Sequence, residues 1–348
     1  MPIRVLVVDD SAVARSVLST SLRVYDDIEV IGAAADVYAA RDRIVLDNPD
    51  VVTLDIEMPR MDGVEFLRRL MPQHPIPVVV VSALATPQAK LTLQALQYGA
   101  VDFVAKPTAR FGTGLSSMID ELARKIRAAA SVDISTLRRP APSPRPFCRL
   151  PAATLDRRTD KIIAIGASTG GTVAIESILG QLPPDAPGIV IAQHMPPLFT
   201  QQFAFRLDRN SAMNVQEARD GDRVLRGQVL IAPGEHQMEV HGSGGCYYVR
   251  CWAGEKVNGH RPSVDVLFAS VAKHVGADAI GVMLTGMGAD GAESMKAMRR
   301  AGARTVAQDE ATSVVFGMPK EAYCRGGVER LFGLAELPRE ILRLAEEL

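Results

Sequence analysis

Residues 162–175 read IIAIGASTGGTVAI, an apolar run of β-branched and small residues that breaks into a glycine-rich turn carrying one serine. The pattern predicts a buried strand that delivers a tight turn onto the first amides of a helix. Two chemistries begin this way: a cradle for phosphate and a pedestal for a nucleophile. A phosphate loop needs Gly-Lys followed by Ser or Thr, and this stretch has no lysine. The dinucleotide fingerprint needs a middle glycine where this turn has Ser168, and no acidic residue ends the next strand, GIVIAQH. Gly166, Ser168 and Gly170 instead satisfy Gly-x-Ser-x-Gly, which leaves a serine oxygen exposed above a sheet beside helix amides.

A serine hydroxyl is a poor nucleophile without a positioned base. GIVIAQH ends at His194, and the later apolar run ADAIGVMLTG leads into MGADG, which holds Asp290. Taken singly, Ser168 could cap a helix, His194 could be a buried hydrogen-bonded ring, and Asp290 could be a turn residue. All three follow the carboxyl ends of strands of one parallel sheet, the edge where open α/β sheets bind ligands. That convergence predicts a Ser-His-Asp triad. The chain order differs from that of α/β-hydrolases, where the acid precedes the histidine, so roles rather than order define it.

Around this turn, GTVAIESILGQL and RPSVDVLFASVAKHVG predict helices, and residues 215–251 predict a turn-rich antiparallel insertion. His236, His241, Cys246 and Cys251 recur every five residues. Zinc ligands usually pair two to four residues apart, so no metal site is predicted there.

Residues 1–107 alternate short apolar runs (IRVLVV, IEVIGAA, PDVVTLDI, PVVVVSA, VDFVAKP) with amphipathic stretches, the mark of βαβ units and a parallel sheet. Asp9 and Asp10 end the first strand, Asp55 the third, Ser82 the fourth and Lys106 the fifth. Three carboxylates at one sheet edge need a counter-ion, and a hard divalent cation such as Mg²⁺ takes such oxygen ligands. With a lysine beside them, the set suits phosphoryl transfer to an aspartate.

At 348 residues, with 47 % hydrophobic and 23 % charged residues, the chain is long enough for two soluble α/β cores. A net charge of −1 argues against a general nucleic-acid binder. The start, MPIRVLVVDDS, is no signal peptide, and no apolar run is long enough to insert in a membrane; a cytoplasmic location with reduced cysteines is expected. Helical pattern ends near Ala130, and RRPAPSPRPFCRLP (138–151) reads as a stiff basic linker. The expected domains are 1–125, a linker over 126–159, and 160–348.

VVDDS, LDIEMPRMDG, VSA and KP resemble the receiver domain of bacterial two-component response regulators. The resemblance implies Asp55 as phosphoacceptor. It also implies Mg²⁺ held by Asp10, Asp55 and the main-chain carbonyl of Glu57, with Asp9 assisting. Ser82 and Lys106 would sense the phosphoryl group, Phe103 would be the switch aromatic, and Lys106–Pro107 a cis peptide.

IGASTGGTVAIESIL, AQHMPPLFTQQFAFRLD, APGEHQMEV, HRPSVDVLFASVAKH, LTGMGADGA and VVFGMP resemble the catalytic domain of chemotaxis protein-glutamate methylesterases across residues 160–330. This implies a flavodoxin-like receiver followed by a Rossmann-like doubly wound domain. It implies hydrolysis of glutamate γ-methyl esters, and deamidation of glutamine, on chemoreceptor helices. The Thr169 and Met287 N–H groups would form the oxyanion hole, with no cofactor for the ester step. A chemotaxis histidine kinase would phosphorylate Asp55 and relieve restriction of the site by the receiver. Two alternatives stand beside it: the same fold acting on another ester or in another pathway, and a binding-only output. The latter predicts a basic recognition helix, which the carboxyl half lacks.

Overall fold

The computed structural model describes residues 1–107, 114–134, 159–243 and 246–348. Most of the expected linker, residues 135–158, lies outside the described residues. The chain divides into two units, Met1–Pro140 and Ala141–Leu348.

In the first unit, β1 (Ile3–Val8), β2 (Ile28–Ala34), β3 (Val51–Asp55), β4 (Val78–Ser82) and β5 (Asp102–Ala105) form one sheet in the order β2-β1-β3-β4-β5. Every pair is parallel. β3 and β4 are buried at each residue, so both faces must be apolar and their sequences run Val-Val rather than alternating. The intervening helices begin on caps written into the sequence. Ser11 Oγ accepts from the Ala14 N–H, Asp36 from Tyr38 and Ala39, and Asp62 from Glu65. The helix Leu115–Ala130 passes through residue 125 and buries Ile126, Ala128 and Ala129.

In the second unit, β6 (Ile162–Ala167), β7 (Gly188–Gln193), β8 (Asn214–Glu217), β9 (Gln228–Ile231), β12 (Ala279–Met283), β13 (Arg304–Gln308) and β14 (Arg330–Phe332) form a seven-stranded sheet. β10 (Gln237–Ser243) and β11 (Cys246–Trp252) make a separate antiparallel pair. The order of the large sheet is β14-β13-β12-β6-β7-β9-β8, parallel throughout.

The expected antiparallel insertion over 215–251 is thereby confined to the β10–β11 pair. β8 and β9 extend the main sheet in parallel, although a parallel pair usually needs a longer crossover than residues 218–227 offer. Burial of Val215, Val229, Leu230 and Ile231 draws them into the sheet, and a short apolar run carries no mark of strand direction. The chain leaves β6 towards β7 on one side and returns as β12 on the other. The carboxyl end of β6 is therefore the switch point of the sheet, where ligand crevices form.

Candidate active site and phosphoacceptor site

Ala167 pairs with Gln193 across β6 and β7, so the next residues, Ser168 and His194, emerge side by side, and the His194 N–H donates to the Ala167 carbonyl at 3.2 Å. On the other flank Met283 pairs with Gly166, the Leu284 N–H donates to the Gly166 carbonyl at 2.9 Å, and the Ser168 N–H donates to the Thr285 carbonyl at 3.1 Å. Gly170, at φ 78°, turns the chain into the helix Gly171–Leu179; a side chain there would be strained. These contacts leave Ser168 half-buried at the switch point of the sheet.

His194 points Nε2 at Asp290 Oδ2, 2.8 Å away, with the two side chains 8 % and 1 % exposed. A carboxylate accepts only, so the proton sits on Nε2 and the lone pair on Nδ1. Nδ1 is buried and has no hydrogen-bond partner. The His260 ring stacks on that of His194, with centroids 3.6 Å apart and planes 5° from parallel. The imidazole is thus held at one edge by Asp290 and on one face by His260.

Asp290 accepts from the Val264 N–H at 2.6 Å, Ser263 Oγ at 2.7 Å and Asn258 Nδ2 at 2.8 Å, at the start of the helix Val264–His274. Burial alone would raise its pKa. Hydrogen bonds from His194, Asn258 and Ser263, with the attraction of His194, outweigh that and hold the carboxyl well below the ordinary range. Sequence reasoning missed Asn258, His260 and Ser263. Their only local signals are the Asn258-Gly259 turn pair and the position of Ser263 just before an apolar-periodic helix.

On the opposite flank, Thr169 is buried and its carbonyl accepts from Thr285 Oγ1 at 2.9 Å. Met287 follows Gly286, whose N–H donates to the Val315 carbonyl at 3.0 Å and whose carbonyl accepts from the Gly317 and Met318 N–H groups at 3.1 and 2.8 Å. A Cβ on Gly286 would lie 2.8 Å from Ser168 Cβ and 2.5 Å from Met318 Sδ, so only glycine allows this loop to approach the serine. Gly286→Ala should lower turnover about 100-fold, the result of displacing reacting groups by an ångström, and should also lower the thermal midpoint, since overpacking of this kind costs about 1–3 kcal/mol. Steady-state kinetics beside a melting curve checks this; a variant with undiminished turnover would dissociate the loop from the chemistry.

The four evenly spaced histidines and cysteines have other surroundings. His241 Nε2 faces Glu239 at 3.0 Å and His236 Nδ1 faces the Gly234 carbonyl at 3.2 Å. Cys246 is exposed, while burial pushes the Cys251 thiol up to about 12.

In the first unit, Asp9, Asp10 and Asp55 bring carboxylate oxygens within 4.8 Å of one another, the one such group of metal-ligating type among the described residues. Lys106 Nζ lies 2.9 Å from Asp9 Oδ2 and 3.0 Å from Asp55 Oδ2. Burial raises the pKa of Asp55, and the attraction of Lys106 offsets only part of the rise. Ser82 Oγ is buried without a partner. Clustered oxygens fit a hard divalent cation, and the orphaned hydroxyl with Lys106 fits an oxyanion beside it.

The Glu57 side chain is exposed and accepts from Gln88. Phe103 is 3 % exposed, with Lys125 Nζ 5.1 Å from its ring centroid. The expected cis peptide at Lys106–Pro107 is not found. Lys106 reaches both carboxylates with the ordinary trans bond, and the cis peptide among the described residues is Arg261–Pro262.

A phosphoacceptor-type carboxylate cluster on one parallel sheet, with serine, histidine and aspartate gathered at the switch point of a second, defines a response regulator whose output domain is built like an enzyme. The sequence model of the CheB methylesterase family matches residues 163–341, and that of the response regulator receiver domain matches residues 5–111. The chain belongs to the CheB methylesterase family and carries a response regulator receiver domain.

A Syntrophotalea carbinolica protein named protein-glutamate methylesterase/protein-glutamine glutaminase is 55 % identical over 350 residues, covering 99 % of this chain and 98 % of its own. A Salmonella typhimurium protein of the same name is 48 % identical over 340 residues, covering 98 % and 96 %. The crystal structure of the Thermotoga maritima CheB methylesterase catalytic domain is 37 % identical with a TM-score of 0.51, covering 53 % of this chain and 98 % of that one. Among the described residues no helix is long and apolar enough to cross a membrane.

Proposed function

We propose that this protein hydrolyses glutamate γ-methyl esters, and deamidates glutamine side chains, on the cytoplasmic helices of methyl-accepting chemoreceptors, and that phosphorylation of Asp55 raises this activity. The observation that carries the reading is the His194 ring, set beside Ser168 with Nε2 on Asp290 and Nδ1 buried without a partner.

In this reading His194 Nδ1 takes the Ser168 proton as the oxygen attacks the ester carbonyl, and Asp290 steadies the imidazolium that forms. The Thr169 and Met287 N–H groups receive the developing oxyanion, each such donor being worth about 3 kcal/mol in the transition state. Methanol leaves with the proton from His194, water then enters, and the acyl-enzyme is cleaved to free glutamate. A glutamine side chain follows the same steps and releases ammonia. No cofactor enters the ester step.

In the receiver, Asp10, Asp55 and the Glu57 carbonyl, with Asp9 assisting, would hold Mg²⁺, which when bound neutralises phosphoryl oxygens. Asp55 supplies the attacking carboxylate, Lys106 a fixed positive charge, Ser82 a hydroxyl donor, and Phe103 the aromatic that reports the change. The phosphodonor would be a chemotaxis histidine kinase in the cytoplasm. Activation is a population shift, bounded by how differently the two receiver states restrict the active site.

A small-molecule phosphodonor with Mg²⁺ should therefore raise methanol release from methylated receptor membranes in the wild-type chain and leave Asp55→Asn at its basal rate. An equal rise in both proteins would locate activation somewhere other than Asp55.

A further inference from the structure

We propose that Asn258 is a positioning residue whose carboxamide sets the orientation of Asp290, and through it that of His194; the proposal rests on the hydrolase reading above. Asn258 lies in the turn closed by paired main-chain hydrogen bonds between Val257 and His260, at 3.0 and 2.9 Å. Its Nδ2 lies 2.8 Å from Asp290 Oδ1 and 2.6 Å from Asp265 Oδ2. An amide nitrogen carries two hydrogens, and here each serves one carboxylate. The other Asp265 oxygen accepts from the Ser294 N–H at 3.0 Å, which ties it to the helix Ala292–Arg300. Asn258 is thus braced from behind by a carboxylate that is itself fixed.

The division of labour on Asp290 gives the brace its consequence. Oδ2 serves His194 and the Val264 N–H, so the orientation of the carboxylate plane depends on the donors at Oδ1. These are Ser263 Oγ at 2.7 Å, Asn258 Nδ2 at 2.8 Å and the Asp265 N–H at a weak 3.4 Å. Without the amide, Ser263 Oγ is the one strong donor left on Oδ1, and the carboxylate is held less firmly against turning about its Cβ–Cγ bond. Asp265 and Asp290 would also face each other as like charges across the space the amide had filled. Either change misaligns Oδ2 with the His194 Nε2–H, which a base must keep aligned to accept a proton from serine.

A turn role would explain an asparagine here as well, because φ is 53° and asparagine tolerates the left-handed region. Glycine tolerates it equally, so Asn258→Gly in the full chain keeps the turn and removes only the amide. The expected result is a fall in kcat of about 10- to 100-fold with KM within about twofold, in a protein that still unfolds in one cooperative transition at a somewhat lower midpoint, since two hydrogen bonds to carboxylates are lost. The far-downfield N–H proton resonance of His194 should broaden or move. Asp265→Asn should act through the same brace, so the double variant should lose less than the product of the two single losses.

Wild-type kcat in Asn258→Gly, or a loss confined to KM, overturns the proposal. If the wild-type chain itself shows no Ser168-dependent hydrolysis, the hydrolase reading fails, and the histidine resonance still decides the positioning claim. An unchanged resonance in Asn258→Gly overturns it.

Discussion

Ser168→Ala should lower kcat for methanol release by at least about 10⁴-fold while KM and the unfolding transition stay where they are. The contacts that shape the turn belong to the main chain. The Ser168 N–H donates to Thr285, and its carbonyl accepts from the Gly171 N–H at 2.7 Å and from Gln193 Nε2 at 3.0 Å. Alanine keeps all of these and deletes only the hydroxyl oxygen, the atom the proposed mechanism uses for attack. Residual turnover would come from the oxyanion donors acting on water, which is why the loss is large but finite. Equal kcat in the two proteins would remove Ser168 from the mechanism.

Asp290→Asn should cost nearly as much, about 10⁴-fold in kcat, for a different reason. An amide NH₂ facing Nε2 forces the imidazole proton onto Nδ1, the nitrogen that in the proposed mechanism accepts from Ser168. The substitution also meets the donors that surround this side chain. Ser263 Oγ, the Val264 N–H and Asn258 all offer hydrogens, and an amide has one acceptor oxygen where the carboxylate had two. The mismatch should destabilise the fold at neutral pH by about 1–3 kcal/mol.

That difference should depend on pH with a definite sign. The folded-state pKa of Asp290 is depressed, so its charge contributes stability that is fully present above an unfolded value of about 4. The contribution is lost as pH falls through the lower folded value. Denaturant unfolding at pH 7 and near pH 3 should show wild type and Asp290→Asn converging in acid. A gap that stays constant with pH would mean that the charge of Asp290 contributes nothing to the fold.

The parts of the site legible in sequence are those that strand ends deliver. Val-rich runs fix β1, β3 and β4, and a polar residue at the end of such a run, like Asp55 or Ser82, has nowhere to go but the carboxyl edge of the sheet. Ser168 and His194 follow the same rule, since each directly follows a buried strand. Asp290 is legible because its loop follows β12, although its φ-positive neighbour Gly291 would serve an ordinary turn as well.

Asn258, His260 and Ser263 belong to no strand end. They reach Asp290 and His194 because the segment before Val264 folds back onto them, a tertiary event without a local pattern. Their identities as a turn asparagine, a surface-grade histidine and a helix-start serine look routine in isolation. Strand direction was similarly hidden. Val215 and Leu230 announce burial, but only the long-range pairing of β9 with β7 sets β8 and β9 parallel.

The most direct measurement follows a labelled methyl group on receptor glutamates. The full chain, with Mg²⁺ and a small-molecule phosphodonor, is mixed with receptor-bearing membranes beside its Ser168→Ala variant. Label should leave as methanol with the wild-type chain and stay on the receptor with the variant. Label that stays on the receptor with both proteins, or leaves at the same rate with both, would contradict it.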